Sequence, residues 1–207
     1  MSKNNEIHSS ITDPQKNKLG KKNQMINWFK AYSKRINPKK IDEGMIPPYI
    51  INDLGRNGFF GMGVSKKYGG MNFEITDTLE ILQLIAAKDI SVAILILDSL
   101  LSSYTVNNYA SNRIKDSFLP DMAQGRVLSA VAITESSAGS NPRAMESFAK
   151  MDQDGSWVLN GQKRWVGYAS WAGFVNIYTQ TYIEGKSVGI SGFFVPIDTE
   201  GLEIKEK

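Results

Sequence analysis

The chain has 207 residues, of which 42% are apolar and 22% charged, with a formal charge of +3, no cysteine and one histidine. That length and balance suit a soluble globular chain of one or two domains with a sizeable core. The missing cysteine excludes disulfides, thiolate metal sites and cysteine nucleophiles, and fits a reducing, cytoplasmic location. With His8 alone in a polar N-terminal stretch, a Ser-His-Asp triad and a histidine-based metal site are excluded too.

Residues 1–40 hold ten Lys and Arg against two acids, so the remainder carries a net −5. Basic tails can bind nucleic acid or anionic membrane. Here lysine alternates with Asn, Ser and Gln without a reading motif, so residues 1–21 are expected to be a disordered, solvated leader with no nucleic-acid role. The stretch lacks the apolar segment of a secretory signal.

From Lys22 to about Arg35, Met25, Ile26, Trp28, Phe29 and Tyr32 recur at helical spacing, and Asn37-Pro38 ends that helix. Pro47-Pro48 opens a second helix carrying Tyr49, Ile50, Ile51 and Leu54, which stops near Asn57-Gly58. Phe59–Gly63 and Lys67–Gly70 read as glycine-punctuated loops. Asp77 and Glu80 have capping-box spacing and open a helix with Leu79, Leu82, Ile85 and Ala86 on one face. From Val92 to about Tyr109 the next helix is apolar nearly all round in its first half, which predicts burial on several sides. Its longest apolar run, Ile90 to Leu101, is about half a membrane span and is interrupted by Asp98, so no span is expected. Ser111 caps a shorter helix that ends between Pro120 and Gly125.

Near Arg126 the apolar period changes from 3.6 to 2. Strands are predicted at 127–133, 145–151, 156–160, 163–167, 173–181 and 188–195, with a further one at 202–205. Asp154-Gly155 and Asn160-Gly161 are read as hairpin turns. Helices followed by strands predict an α+β chain of two packed domains: a helical domain over 22–125 and an antiparallel β-sheet or barrel domain over 126–207. No strand–GxGxxG–helix unit and no P-loop occurs.

One stretch stands out, the strand-to-loop segment Val131-Ala-Ile-Thr-Glu-Ser-Ser-Ala-Gly-Ser140. Gly139 lets backbone approach a ligand closely, and Thr134 and Ser140 offer hydroxyls. By itself the composition fits a plain turn as well as a ligand-binding loop.

Four separated segments together resemble the acyl-CoA dehydrogenase family. They are Leu54–Gly61 followed by Tyr68-Gly-Gly70, Ser111–Pro120 followed by Gly125, Ala132–Asn141, and Asn160-Gly-Gln-Lys-Arg-Trp-Val166. The resemblance covers roughly residues 22–207. It implies FAD as cofactor and α,β-dehydrogenation of an acyl thioester, on CoA or a carrier protein, with electrons passing to an acceptor flavoprotein. It also implies roles. Backbone of Val131 and Ile133 would face the flavin pyrimidine ring, and the Thr134 hydroxyl would sit near flavin N5. Gly139 and Ser140 would contact FAD and the thioester, Ser140 being the substrate-binding position. Trp165 would pack on the dimethylbenzene side, with Val166 and Gly167 continuing that wall. Read without the family, Thr134 fits a satisfied strand end and Trp165 a core residue.

Three departures qualify the resemblance. Asn141 stands where the family has aspartate. Gly167, where a threonine is usual, offers no hydroxyl. The chain reaches Lys207 without the family's C-terminal helical bundle, which carries the glutamate base. No catalytic residue and no metal ligand is therefore assigned, and either a partner chain supplying the bundle or a lost C-terminal region is expected to complete the site. Glu135 is placed on the structural or cofactor side of its motif. Three alternatives stay open: a non-catalytic thioester-binding or interaction module, a carrier-protein-linked acyl or aminoacyl dehydrogenase component, and a flavin monooxygenase on the same fold.

Overall fold

In the computed structural model the described residues run from 14 to 205, with side chains from residue 17 onward. Helix α1 spans Pro14–Tyr32, starting eight residues before the helix read from the sequence. The expected disordered leader therefore fails over 14–21; residues 1–13, with His8, lie outside the described residues. The cause is long-range. Lys18 Nζ reaches Glu74 at 3.0 Å, and Lys22 Nζ reaches Asp77 and Glu80 at 2.8 Å each. Further along the same face α1 buries Met25, Phe29 and Tyr32.

Two elements follow around proline. Helix α2, Pro38–Asp42, is a single turn capped by Asn37, and α3 is Pro48–Arg56. Proline at the first position costs nothing there, since that N–H has no partner in a helix. Gly58 takes φ 81° beyond α3, and the two expected glycine loops contain short 3-10 turns at Phe59–Gly61 and Lys66–Tyr68.

Helix α4 is Ile75–Ala86, and the expected capping box does not form. Glu74 occupies the cap position without a side-chain bond, while Asp77 and Glu80 are engaged by Lys22. Helix α5, Ile90–Tyr109, is capped by buried Asp89, whose Oδ1 accepts from the Val92 N–H at 3.0 Å. Helix α6, Asn112–Ala123, is capped by Ser111 and ends between Pro120 and Gly125, both as expected, with Pro120 inside its last turn. Phe29, Leu54, Phe59, Phe60, Ile81, Ile85, Leu95 and Ile96 form the helical core. Each such side chain contributes about 1.5–3 kcal/mol of burial.

The sheet has five strands: β1 Leu128–Ala132, β2 Phe148–Met151, β3 Trp157–Asn160, β4 Ala172–Ile183 and β5 Lys186–Pro196. It is mixed, not antiparallel as expected. Strand β4 runs through the middle. One of its edges pairs in parallel with β1 and then β2, and the other pairs antiparallel with β5. Strand β3 closes the edge against β2. Asp154-Gly155 makes the β2–β3 hairpin. The β4–β5 hairpin turns at Glu184-Gly185, with φ 49° and 76°, a two-residue turn of the type right-twisted strands prefer.

Three strand-level expectations fail. Residues 163–167 are a loop, residues 202–205 form no strand, and Asn160-Gly161 is not a hairpin. Gly161 has φ 140°, and a Cβ there would come within 2.7 Å of the Ser147 Cα, so the chain crosses tightly over the start of β2. Phe174 of β4 packs with Val64, Val106, Leu119 and Met122 and joins sheet to helices. Helix α5 rests on β1, α4 and α6. It is the one described helix long and apolar enough to cross a membrane, but half of that span is buried inside the fold, which marks it as a core helix. Its burial is one-sided, however. Ile90, Ile94, Leu97, Leu101 and Tyr104 are all exposed, against the expected burial on several sides.

Candidate functional site

Strand β1 ends at Ala132, and the chain then leaves the sheet through Ile133, Thr134 and Glu135. A second loop, Gly161–Tyr168, folds back onto it. The Arg164 N–H donates to the Thr134 carbonyl at 2.8 Å, and the Arg164 guanidinium donates to Ser136 Oγ at 3.2 Å. Lys163 Nζ donates to the Ile133 carbonyl at 3.0 Å and to Glu135 Oε1 at 2.6 Å. Two segments about thirty residues apart are thus locked side by side, which puts Thr134 next to Trp165.

Glu135 is the anchor of this junction. It accepts from the Glu146 N–H at 2.6 Å, from the Ser147 N–H at 3.2 Å and from the Ser147 hydroxyl. Burial alone would push its carboxyl up. The Lys163 ammonium, the Ser147 hydroxyl and the two backbone N–H groups outweigh burial and hold it at about 2. A carboxylate so saturated stays ionised and is unsuited to proton abstraction. This supports the structural side of the role expected for Glu135. The partner that sequence reasoning missed is Lys163. Its signal was available, a lone Glu and a lone Lys in the two motifs quoted together.

Seven of the eight expected site residues fall into three groups. Ile133, Thr134 and Trp165 share one rim. Ile133 is 38% exposed, Trp165 is 80% exposed with φ 56°, and Thr134 is half-buried between them in sequence and bonding. Large apolar side chains held out by a fixed backbone form a surface suited to a planar partner. Gly139 and Ser140 lie further along the loop, exposed, and the space where a Gly139 Cβ would point is open. Val131, in β1 opposite Asn176, and Val166 are half-buried beneath the rim. Val166 packs against the small-residue cluster of Ala130, Ala132, Ala169, Ala172 and Val175. Trp165 is not a core residue.

Gly167 faces the helices instead. A Cβ on it would lie 2.8 Å from Asp98 Oδ2, so the loop meets α5 there and a side chain would require Asp98 to shift. Tyr168, φ 56°, donates its hydroxyl to the Ser91 carbonyl at 2.6 Å, pinning the loop to α5. Asn141 precedes a short turn at Pro142–Ala144 and makes no side-chain cap bond. No group of three or more metal-ligating side chains occurs among the described residues.

Residues 27–126 match the family model for the acyl-CoA dehydrogenase N-terminal domain, and residues 130–207 match the one for the acyl-CoA dehydrogenase middle domain. The chain belongs to the acyl-CoA dehydrogenase family. Its relatives include the mitochondrial short/branched chain specific acyl-CoA dehydrogenase of Bos taurus, 29% identical over 80% of this chain and 38% of that one. The glutaryl-CoA dehydrogenase of Desulfococcus multivorans is 31% identical over 75% of this chain and 43% of that one. Among solved structures, a glutaryl-CoA dehydrogenase from Mycobacterium smegmatis in complex with FADH2 superposes with a TM-score of 0.78 at 25% identity. The superposition covers 89% of this chain and 46% of that one. The butyryl-CoA dehydrogenase of Megasphaera elsdenii gives 0.75 at 22% identity over 97% and 51%, a likeness of fold. The chain therefore spans about two fifths of these curated relatives and about half of these solved structures. A helical N-terminal region followed by a mixed-sheet region is the architecture shared with them.

Proposed function

We propose that this chain is the N-terminal helical and middle β portion, divided near residue 126, of an acyl-CoA dehydrogenase-type flavoprotein. Its reaction is α,β-dehydrogenation of an acyl thioester. The observation that carries the reading is the 2.8 Å bond from the Arg164 N–H to the Thr134 carbonyl, which joins the two family motifs into one exposed rim. The likeness to an FADH2 complex supports FAD as the ligand of that rim.

The residues present fit the group. Ile133 and Trp165 offer apolar surface for a planar ring, Thr134 offers a hydroxyl between them, and the open space at Gly139 admits close backbone approach. FAD, when bound, supplies the hydride acceptor. The Thr134 hydroxyl then serves as a hydrogen-bond donor held in place by its own carbonyl's bond to Arg164. Val131, Val166 and Gly167 contribute backbone to the wall, and Ser140 holds the thioester side. Glu135 and Lys163 touch neither ligand and keep the two loops in register.

The proton-abstracting carboxylate comes from another polypeptide segment, either a partner chain or further sequence. Glu135 is already saturated by its donors. Electrons leave to an acceptor flavoprotein, and the absence of cysteine favours a cytoplasmic protein.

The test is a flavin titration of the chain, alone and mixed with a recombinant C-terminal half of a relative. The expected result is flavin retained in the mixture and reduced anaerobically by an acyl-CoA. No retention in either sample sinks the proposal.

A further inference from the structure

The buried Lys163 ammonium aims its three donors at three fixed partners. They are the Ile133 carbonyl at 3.0 Å, Glu135 Oε1 at 2.6 Å and Met145 Sδ at 3.9 Å. The Ile133 carbonyl belongs to the same peptide unit as the Thr134 N–H. In a trans peptide these two groups point opposite ways. With its carbonyl drawn onto the buried ammonium, the unit turns the Thr134 N–H outward. The next peptide is pinned as well, since the Thr134 carbonyl accepts from the Arg164 N–H at 2.8 Å. Among the described residues neither the Thr134 N–H nor its hydroxyl makes a hydrogen bond, so both donors stand open at the rim. The Lys163–Glu135 pair is neutral as a whole, but its two ends act unequally on this peptide. The Glu135 carboxylate spends its charge on the Glu146 and Ser147 N–H groups and the Ser147 hydroxyl, whereas the ammonium sits directly on the Ile133 oxygen. A charge-assisted bond to a carbonyl polarises the whole amide and strengthens its N–H as a donor.

From this geometry we infer that Lys163 is a positioning residue for flavin reduction: by holding the Ile133 carbonyl it aims and polarises the Thr134 N–H, and so makes the rim favour the reduced ring over the oxidised one. The inference rests on the flavoprotein reading and deepens it, because it gives the rim a preference between two forms of one ligand. Hydride uptake adds negative charge to a flavin ring. Hydrogen bonds to charged acceptors are about twice as strong as those to neutral ones, so a strengthened donor gains more against the reduced ring. Lys163 touches no ligand and acts through a single peptide unit. A lysine that only kept the two loops in register would support both forms of the ring equally, and that difference separates the two roles.

Two measurements on the full, isotope-labelled chain test it. Without ligand, the Lys163 ammonium nitrogen should show a scalar coupling across the hydrogen bond to the Ile133 carbonyl carbon in NMR spectra. No coupling means that the ammonium does not hold that carbonyl, and overturns the inference. Amide-shift titrations with FAD and, anaerobically, with FADH2 then give both dissociation constants. They are compared with those of Lys163→Met combined with Glu135→Gln, which leaves no stranded charge, its fold checked by circular dichroism. The expected result is a loss of affinity for FADH2 about tenfold greater than the loss for FAD, equivalent to a two-electron potential lowered by about 30 mV. Equal losses for the two forms, or no loss, show register-keeping alone and overturn the inference. Saturable shifts from neither form in the unsubstituted chain, with the coupling present, contradict the flavoprotein reading itself. Saturable shifts without the unequal loss contradict the Lys163 inference alone.

Discussion

Lys163 Nζ lies 2.6 Å from Glu135 Oε1, with the side chains only 8% and 5% exposed. The pair closes the junction between the Thr134 loop and the Arg164 loop. Removing one member of a buried pair strands the other, at a cost of about 3–5 kcal/mol. Lys163→Met should therefore lower urea-unfolding stability by about that amount. Lys163→Met combined with Glu135→Gln should cost less than the separate losses added together, a coupling that a double-mutant cycle measures.

Glu135 also sets a pH response. Its carboxyl is held at about 2, below its ordinary value of 4.5. A carboxyl depressed in the fold contributes stability that is complete above its unfolded value and is lost as pH falls. Stability should decline between about pH 4.5 and pH 2, and Glu135→Gln should flatten that decline. Urea midpoints at successive pH values read it directly.

At Gly161 the chain crosses over Ser147 with φ 140°, and a Cβ would meet the Ser147 Cα at 2.7 Å. Gly161→Ala should destabilise the fold by about 1–3 kcal/mol, adding overpacking to backbone strain. Because Ser147 donates to Glu135, disturbing it lets that carboxyl return toward its ordinary value, so the acid-linked decline in stability should flatten in the variant.

Asp89 caps α5 through the Val92 N–H at 3.0 Å. Asp89→Ala should cost about 1 kcal/mol, within the range for lost caps. A loss well above that in thermal unfolding would show a further role for this buried carboxylate.

The helices were legible because local periodicity carries them, as with Met25, Phe29 and Tyr32 on α1 or Ser111 ahead of α6. What failed rests on partners far away in sequence. The start of α1 at Pro14 depends on Glu74, Asp77 and Glu80, the same contacts that remove Asp77 from a capping box. Parallel pairing of β1 with β4 joins residues more than forty apart and leaves no turn signature. Arg164 and Trp165 alternate in character like a strand, yet the Arg164 N–H goes to the Thr134 carbonyl rather than to a ladder. The motifs containing Thr134 and Trp165 were visible as resemblance. Their juxtaposition, and the exposed face of α5, were not, because both depend on how helices and sheet pack.

The rim proposed to face the flavin is most directly probed by amide chemical-shift mapping of the labelled chain during titration with FAD, which detects binding even at millimolar affinity. The account predicts saturable shifts concentrated at Val131–Ser140 and Arg164–Tyr168, weakened by Thr134→Val and by Trp165→Ala. Shifts centred elsewhere, or none at millimolar FAD, would contradict it.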